Sequence, residues 1–235
     1  RRNITAQYLG APDLSNTFFY STATASLVQS VGAANNLIIV GANAGGGPQV
    51  NVYDRIANTQ VSFFAFDTAF RGGVRVAGGD INADGIEDIV VAAGPGGGPN
   101  VKVYDGVSYS EIRNFFAYAP QFSSGIFVAC GDVNGDGYAD IITGAGAGGG
   151  PHVQVFSGLD NSIIASYFAY STVFTGGISV ASGDLNADGF SDVITGAGAG
   201  GGPHVLGLSG QALIVGQQVA LANFFAFDPG VTRGI

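Results

Sequence analysis

Four copies of the tetrapeptide Gly-Gly-Gly-Pro recur along the chain at nearly constant spacing. The copies lie 51, 52 and 52 residues apart and end at Pro48, Pro99, Pro151 and Pro203. A second marker keeps the same step, because an acidic segment opens at Asp80, Asp132 and Asp184. Self-similarity at a fixed period is the signature of repeat architectures. The fold must therefore be built from copies of one unit of about 52 residues.

Glycine limits what each unit can contain. The chain has 40 glycines in 235 residues without a Gly-X-Y period, which excludes collagen and indicates a fold dense in turns. Each interior glycine costs a helix roughly 1 kcal/mol, so long helices are disfavoured. Hydrophobic residues make up 46% of the chain and charged residues 11%, which excludes a highly charged disordered tail.

Each unit contains four segments with strand character. The run after each acidic segment is apolar and β-branched, as in residues 88–91, and residues 100–104 after Gly-Gly-Gly-Pro alternate with period two. A third segment ends in aromatic residues, as in 163–170, and a fourth, such as 177–181, runs straight into the next acidic segment. Four short strands per unit without helical periodicity predict an all-β fold, a β-propeller of four-stranded blades.

The ends of the chain bear on closure of the propeller. We assign units to residues 23–73, 74–124, 125–176 and 177–229, in one domain of 1–235. Residues 230–233 resemble 73–76, the start of a first strand, so we expect 1–22 and 230–235 to form a composite closing blade of a five-sector propeller. Such a splice would leave no unpaired sheet edge. A fragment of a larger propeller and a solenoid of stacked sheets remain alternatives.

The acidic segments read Asp-x-Asn-x-Asp-Gly-x-x-Asp, a spacing that suits Ca²⁺. A tight loop with oxygen ligands at positions one, three, five and nine and a backbone carbonyl at seven can supply the six to eight oxygens that Ca²⁺ takes. The predicted side-chain ligands are Asp80, Asn82, Asp84, Asp88, Asp132, Asn134, Asp136, Asp140, Asp184, Asn186, Asp188 and Asp192. The predicted carbonyl ligands are those of Ile86, Tyr138 and Phe190. The same residue types also form plain turns, which is the competing interpretation.

Charge supports three calcium sites. Nine of the seventeen acidic residues are predicted ligands in these three loops, and the eight others balance the eight Lys and Arg residues. The loop is not an EF-hand, because strand formers follow it and position twelve is never Glu. The first unit has no carboxylate at residues 31–36, so we predict no calcium there.

The acidic loop, the Ile/Val strand after it and the Gly-Ala-Gly turn together resemble the FG-GAP/VCBS-type repeats of integrin-like β-propellers, over roughly residues 23–230. The literal Phe-Gly of the family name is absent. The resemblance implies a calcium-stabilised propeller of the kind found in secreted or cell-surface proteins that bind proteins or glycans. We therefore expect an extracellular interaction module for adhesion or lectin-like recognition. A propeller-based polysaccharide lyase or hydrolase and an architectural spacer are the alternatives.

The remaining polar residues give weaker indications. The residue after each Gly-Gly-Gly-Pro can hydrogen-bond a hydroxyl group, which makes four residues tentative ligand contacts: Gln49, Asn100, His152 and His204. The two histidines occupy equivalent positions in different units, so a catalytic pair or a zinc site is disfavoured, and we expect no enzyme activity.

Charge and hydropathy restrict the partners. A net charge of −9 with only eight Lys and Arg disfavours nucleic acid as a partner. No apolar run approaches the ~18 residues of a transmembrane helix. The lone Cys130 cannot form an internal disulfide. These features predict no nucleic-acid partner and no membrane insertion, and the resemblance to FG-GAP/VCBS-type repeats implies a secreted or cell-surface protein that binds a glycan or another protein.

Overall fold

The computed structural model describes residues 25–29, 37–54 and 56–235, and within residues 25–29 only the backbone. These residues form four separate sheets, and each sheet contains four strands that are consecutive in the sequence. Every paired strand is antiparallel to its neighbour, so each sheet is a meander. The predicted all-β class is confirmed, and the sheets are consistent with propeller blades.

The strand bounds follow the repeat. The first sheet consists of β1 (Ala25–Gln29), β2 (Ile38–Ala42), β3 (Gln49–Tyr53) and β4 (Thr59–Phe64). The second consists of β5 (Val74–Gly79), β6 (Asp88–Ala93), β7 (Asn100–Tyr104) and β8 (Glu111–Phe116). The third consists of β9 (Ile126–Gly131), β10 (Asp140–Ala145), β11 (His152–Phe156) and β12 (Ile163–Phe168). The fourth consists of β13 (Ile178–Gly183), β14 (Asp192–Ala197), β15 (His204–Leu208) and β16 (Ala220–Phe225).

The hydrophobic core lies between the sheets, in three layers. Each layer combines side chains of two successive sheets: one joins the first and second, one the second and third, and one the third and fourth. The second strands of the last three sheets are the most buried elements, and every residue of β6 and β10 is buried. Their continuous apolar runs, which the sequence shows after each acidic loop, are required because both faces of these strands meet a neighbouring sheet.

First strands of successive sheets lie side by side, since β5 contacts β1 and β9, and β9 contacts β13. Glycine makes this approach possible. Gly73, just before β5, has φ +72°, and a Cβ there would lie 2.4 Å from the carbonyl carbon of Asn43 in the first sheet. Any other residue would combine backbone strain with a clash, so the glycine is required where one sheet meets the next.

Tyr118 fastens the second sheet to the third. Its hydroxyl group lies 2.9 Å from the carbonyl oxygen of His152 and 3.1 Å from that of Thr143. The buried Thr143 hydroxyl lies 3.2 Å from the Tyr118 oxygen. Tyr170 and Thr195 repeat the arrangement between the third and fourth sheets. In the first layer the equivalent residues are Phe66 and Val91, so the hydroxyl groups are present or absent together.

The fourth sheet contains a helix that the sequence pattern did not predict. Helix α1 (Gly210–Ile214) lies between β15 and β16. The Ser209 hydroxyl oxygen caps it by accepting a hydrogen bond from the Ala212 N–H. Among the residues that the structure describes, no helix is long and apolar enough to cross a membrane.

Because α1 is an insertion in the fourth unit, the residues after the fourth sheet align with the start of a first strand in a different register from the one predicted. The Gly200 N–H donates to the Thr232 carbonyl, as the Gly148 N–H donates to that of Thr175. Gly234 has φ +80° and lies against the backbone of Gly198 as Gly177 lies against Gly146. The resemblance of residues 230–233 to 73–76 is therefore wrong in register, and Gly234–Ile235 corresponds to Gly73–Val74.

In each of the first three sheets, one face is covered by the following sheet, but the same face of the fourth sheet is exposed within the described part of the chain. Phe63 and Phe115 pack against rings of the following sheet, with centroid distances of 4.6 Å to Tyr104 and 4.9 Å to Phe156. Tyr167 is 8% exposed, whereas the equivalent Phe224 is 52% exposed within the described part of the chain. Residues 1–22, which we assigned to the closing blade, lie outside the described residues.

Tyr118→Phe and Thr143→Val should each destabilise the protein by about 0.5–1.5 kcal/mol, because each removes the contact between the two hydroxyl groups and a hydrogen bond to a carbonyl group from one buried network. The double variant, which restores the Phe/Val pair found in the first layer, should cost less than the sum of the two. Chemical denaturation of the four proteins measures this coupling energy. Strictly additive costs would contradict the interpretation of Tyr118 and Thr143 as one unit.

Candidate metal-binding loops

The three acidic loops occupy equivalent places in the fold. Each connects the first strand of a sheet to the second: residues 80–87 join β5 to β6, 132–139 join β9 to β10, and 184–191 join β13 to β14. They lie beyond the carboxyl ends of neighbouring first strands. The corresponding connection of the first sheet, for which we predicted no calcium, falls on residues 30–37 and lies almost entirely outside the described residues.

Positions one, three and five converge within each loop. The Asp80 carboxylate accepts hydrogen bonds from the N–H groups of Asp84 (3.0 Å) and Gly85 (2.8 Å). The side-chain oxygen of Asn82 accepts from the same Asp84 N–H at 2.9 Å. The Asn82 amide also donates to the Asp84 carboxylate at 3.1 Å. The loops at Asp132 and Asp184 repeat these contacts.

The ninth aspartate has a task that the motif does not reveal. Asp88 is fully buried, and one of its oxygens accepts from the N–H groups of Ile81 (3.0 Å) and Asn82 (3.2 Å). The other accepts at 2.9 Å from the N–H of Gly106, which follows β7. Asp140 and Asp192 make the equivalent bonds to Gly158 (2.9 Å) and Gly210 (3.0 Å). The ninth carboxylate thus ties the acidic loop to the connection between the third and fourth strands.

These glycines belong to the site, and the sequence analysis missed them. A Cβ at Gly158 would lie 2.2 Å from the Ala139 carbonyl oxygen, and one at Gly106 would lie 2.0 Å from that of Glu87. Only glycine therefore lets the backbone N–H reach the buried carboxylate. Their recurrence at a spacing of 52 residues was the signal available in the sequence.

Burial shifts the ionisation of two of these carboxyl groups. It raises the pKa of Asp88 and of Asp140 to about 6, although the backbone N–H donors act in the opposite direction. The ionised form is therefore held at a cost in the protein alone. A cation nearby would favour the ionised form and reduce that cost.

The donor set fits a hard cation in its chemistry. Each loop brings two carboxylates and an amide oxygen together at positions one, three and five, and Ca²⁺ prefers such oxygen ligands. The ninth carboxylate is directed at backbone N–H groups. Among the described residues, no group of three or more His, Cys, Asp or Glu side chains is arranged to hold a metal ion. The ligand set of four side chains and one carbonyl per loop remains a prediction.

The four tentative ligand residues lie in four different sheets, each at the start of the third strand. Each already has a side-chain partner on the fourth strand: Gln49 bonds Ser62, Asn100 bonds Asn114, His152 bonds Ser166, and His204 bonds Asn223. Their cross-strand neighbours are the exposed phenylalanines Phe64, Phe116, Phe168 and Phe225. The structure thus makes four similar surface pairs of a polar and an aromatic side chain, and it does not assemble them into one site.

Two segments of the chain match known repeat families. Residues 80–143 match an FG-GAP-like repeat, and residues 176–214 match an FG-GAP repeat. The two segments include all three acidic loops. These matches fall on the residues that carry the sequence resemblance to this family, and FG-GAP repeats commonly bind calcium.

The chain is also distantly similar to integrin alpha-V of Gallus gallus. The two are 31% identical over 169 residues, which cover 63% of this chain but only 16% of the integrin. Two solved structures share the fold at 10% sequence identity and a TM-score of 0.51. One is a protein of unknown function from Bacteroides caccae, matched over 85% of this chain and 60% of that one. The other is a rhamnogalacturonan lyase from Bacillus licheniformis, matched over 86% and 51%.

The structural task of the ninth aspartate can be separated from metal binding. In metal-free buffer, Asp140→Asn should lower the free energy of unfolding by about 2–3 kcal/mol, because an amide cannot accept from all three backbone N–H groups. The exposed Asp136→Asn in the same loop should change it by less than about 0.5 kcal/mol. Urea denaturation with and without EDTA measures both values. Equal, small effects would show that Asp140 does not hold the loop.

Proposed function

We propose that the chain is a calcium-binding interaction module of an extracellular protein. The observation that carries this proposal is the threefold recurrence of one hydrogen-bonded acidic loop at the same end of neighbouring sheets, inside segments that match FG-GAP repeats. A single such loop could be an ordinary turn. Three loops with the same internal contacts argue for a common ligand.

In each loop, the side chains at positions one, three, five and nine and the carbonyl at seven would hold the Ca²⁺ ion. The ion would supply a positive charge that neutralises clustered carboxylates; its role is structural. Because the ninth aspartate joins the acidic loop to the Gly106-type connection, ordering one loop orders both. Calcium would thereby stabilise the end of each sheet, and the folded state would gain stability with calcium concentration.

The module would act by binding a glycan or a protein at the surface of a cell or in its surroundings. The similarity to integrin alpha-V supports an extracellular role, although it covers a small part of that protein. The exposed phenylalanines beside Gln49, Asn100, His152 and His204 offer repeated pairs of an apolar and a polar group. Such pairs suit a ligand that has both apolar faces and hydroxyl groups.

We propose binding rather than catalysis, since the acidic residues of the three loops are engaged in loop structure and would hold metal. A lyase or hydrolase needs a distinct acid and base at one position. The fold shared with a rhamnogalacturonan lyase concerns architecture alone. Turnover of any member of a polysaccharide panel would contradict this proposal, and failure to bind any glycan or protein would favour a spacer.

We also propose that residues 1–22 complete a five-sector propeller together with the end of the chain. Support comes from the exposed Phe224 on the last sheet and from Gly234–Ile235, which repeat the start of a first strand. A further blade covering this face would bury Phe224 as Tyr167 is buried. A larger propeller, of which this chain is one part, is the alternative. Deletion of residues 1–22 should lower the melting temperature if they form the closing blade.

Removal of calcium should lower the melting temperature, and titration of the stripped protein by calorimetry should find three sites. Each site contributes RT ln(1 + [L]/Kd) to stability, or about 2.7 kcal/mol at a hundredfold excess of calcium over Kd. Asp132→Ala should remove one site and leave two. Ser166→Ala, outside the loops, is the matched control and should keep all three. An unchanged melting temperature after verified metal removal would exclude the structural role of calcium.

A further inference from the structure

A cavity of about 400 Å³ opens at the amino ends of the first strands, at the end of these strands opposite to the acidic loops. We call it the Arg75 cavity. The second residues of three first strands line it: Arg75 from β5, Phe127 from β9 and Ser179 from β13. Ser124 and Arg233, from the connections between sheets, also line it. Its volume lies in the usual range of small-ligand sites.

The Arg75 cavity collects the unpaired positive charge of the described residues. Five Lys and Arg side chains fall in residues 37–54 and 56–235. Lys102 pairs with Glu111 at 2.8 Å, and Arg71 and Arg113 donate to backbone carbonyls. Within that part of the chain, the side chains of Arg75 and Arg233 make no hydrogen bond or ion pair, and both residues line the cavity. No Asp or Glu side chain lines it.

The Arg75 side chain is held in place by packing, but one of its hydrogen-bond donors has no acceptor among the described residues. Its guanidinium carbon lies 4.9 Å from the centroid of the Phe127 ring, a cation–π contact that fixes the side chain against β9. Its Nη1 atom is buried without a hydrogen-bond partner among the described residues. A buried donor in this state is costly and calls for an acceptor. Because this atom has no accessible surface, an anionic oxygen of a ligand reaches it only if the guanidinium group turns toward the cavity that Arg75 lines.

The larger polar and aromatic side chains that line the cavity lie at positions where the repeat changes, whereas several lining glycines, among them Gly146 and Gly198, are constant. Equivalent second positions of the first strands hold Arg75, Phe127 and Ser179. Two residues before each first strand, the chain has Gly72, Ser124 and Gly176, and the fourth unit has Arg233 at the corresponding place. Neighbouring positions, such as Gly73, Gly125, Gly177 and Gly234, are constant. The units thus share the glycine backbone of the cavity wall, which includes Gly177 and Gly234, and differ in the side chains Arg75, Phe127 and Ser179, which make the site asymmetric.

We propose that the Arg75 cavity binds the carboxylate of a uronic acid residue in a glycan. Guanidinium groups bind carboxylates through paired, charge-assisted hydrogen bonds, and two of them face one space here. The Ser124 hydroxyl, which has no side-chain hydrogen bond to the described residues, and the Phe127 ring suit the hydroxyl groups and the apolar face of a sugar. A carboxylate from a protein side chain would fill only a small part of about 400 Å³. This site rests on the proposed function in that it names the ligand class of the module.

Binding of methyl glucuronoside and methyl galacturonoside, measured by calorimetry at 0.15 M salt with methyl glucoside as the neutral probe, tests the site. We expect binding of a uronoside and not of the glucoside. Arg75→Gln and Arg233→Gln should each weaken it about ten- to hundredfold. Arg71→Gln, the same substitution at an exposed arginine outside the cavity, should leave affinity unchanged. Because Arg75 packs on Phe127, the exposed Arg233 keeps the test valid if Arg75→Gln does not fold.

Other outcomes overturn the proposal. Equal binding of acetate or sulfate would reduce the cavity to a general anion site, and tighter binding of N-acetylglutamate amide would make the ligand an acidic peptide. Absence of uronoside binding, or binding that Arg75→Gln and Arg233→Gln leave intact, would exclude the cavity. Calcium titration of the same variants keeps the two proposals apart: the three predicted calcium sites should persist in Arg233→Gln. Loss of uronoside binding alone would leave the calcium proposal standing.

Discussion

In the second, third and fourth sheets, a buried carboxylate holds together the two loops at one end of the sheet. Asp88, Asp140 and Asp192 each accept backbone hydrogen bonds from two loops that are distant in sequence, and each lies wholly out of solvent. An ionised group is expensive in such a place unless its oxygens are satisfied. The acidic loop supplies one set of donors and a glycine after the third strand supplies the other. The constant separation of 18 residues between each of these aspartates and its glycine follows from this requirement.

The same constraint links the loops to the core. The ninth aspartate is also the first residue of the second strand, so the loop geometry and the placement of the most buried strand cannot vary independently. Hydroxyl contacts such as Tyr118 with Thr143 fix the orientation of one sheet on the next. Glycines without a Cβ allow the first strands to lie side by side. Stability thus comes from the three hydrophobic layers together with the hydrogen bonds of the buried aspartates and of the Tyr–Thr pairs.

Repetition and divergence have different consequences for function. Residues that recur in three of the four units build the acidic loops, and they predict the same chemistry three times. Residues that differ between units at the amino ends of the first strands create one cavity with two unpaired arginines. The acidic and the basic features lie at opposite ends of strands roughly 15–20 Å long. Charge is therefore separated along the strands of a protein whose net charge is −9.

The repeat period, the four-stranded unit and the residues of the acidic loops can be predicted from the sequence, because these depend on local patterns of glycine, acidic and β-branched residues. The sequence could not show that Asp88 bonds Gly106, because that contact joins segments 18 residues apart that meet only when the sheet forms. Nor could it show α1 or the corrected register at Gly234, since the insertion breaks the period. The Arg75 cavity was likewise decided only by the tertiary structure: Arg75 and Arg233 are 158 positions apart, and only the juxtaposition of successive sheets places both around one space.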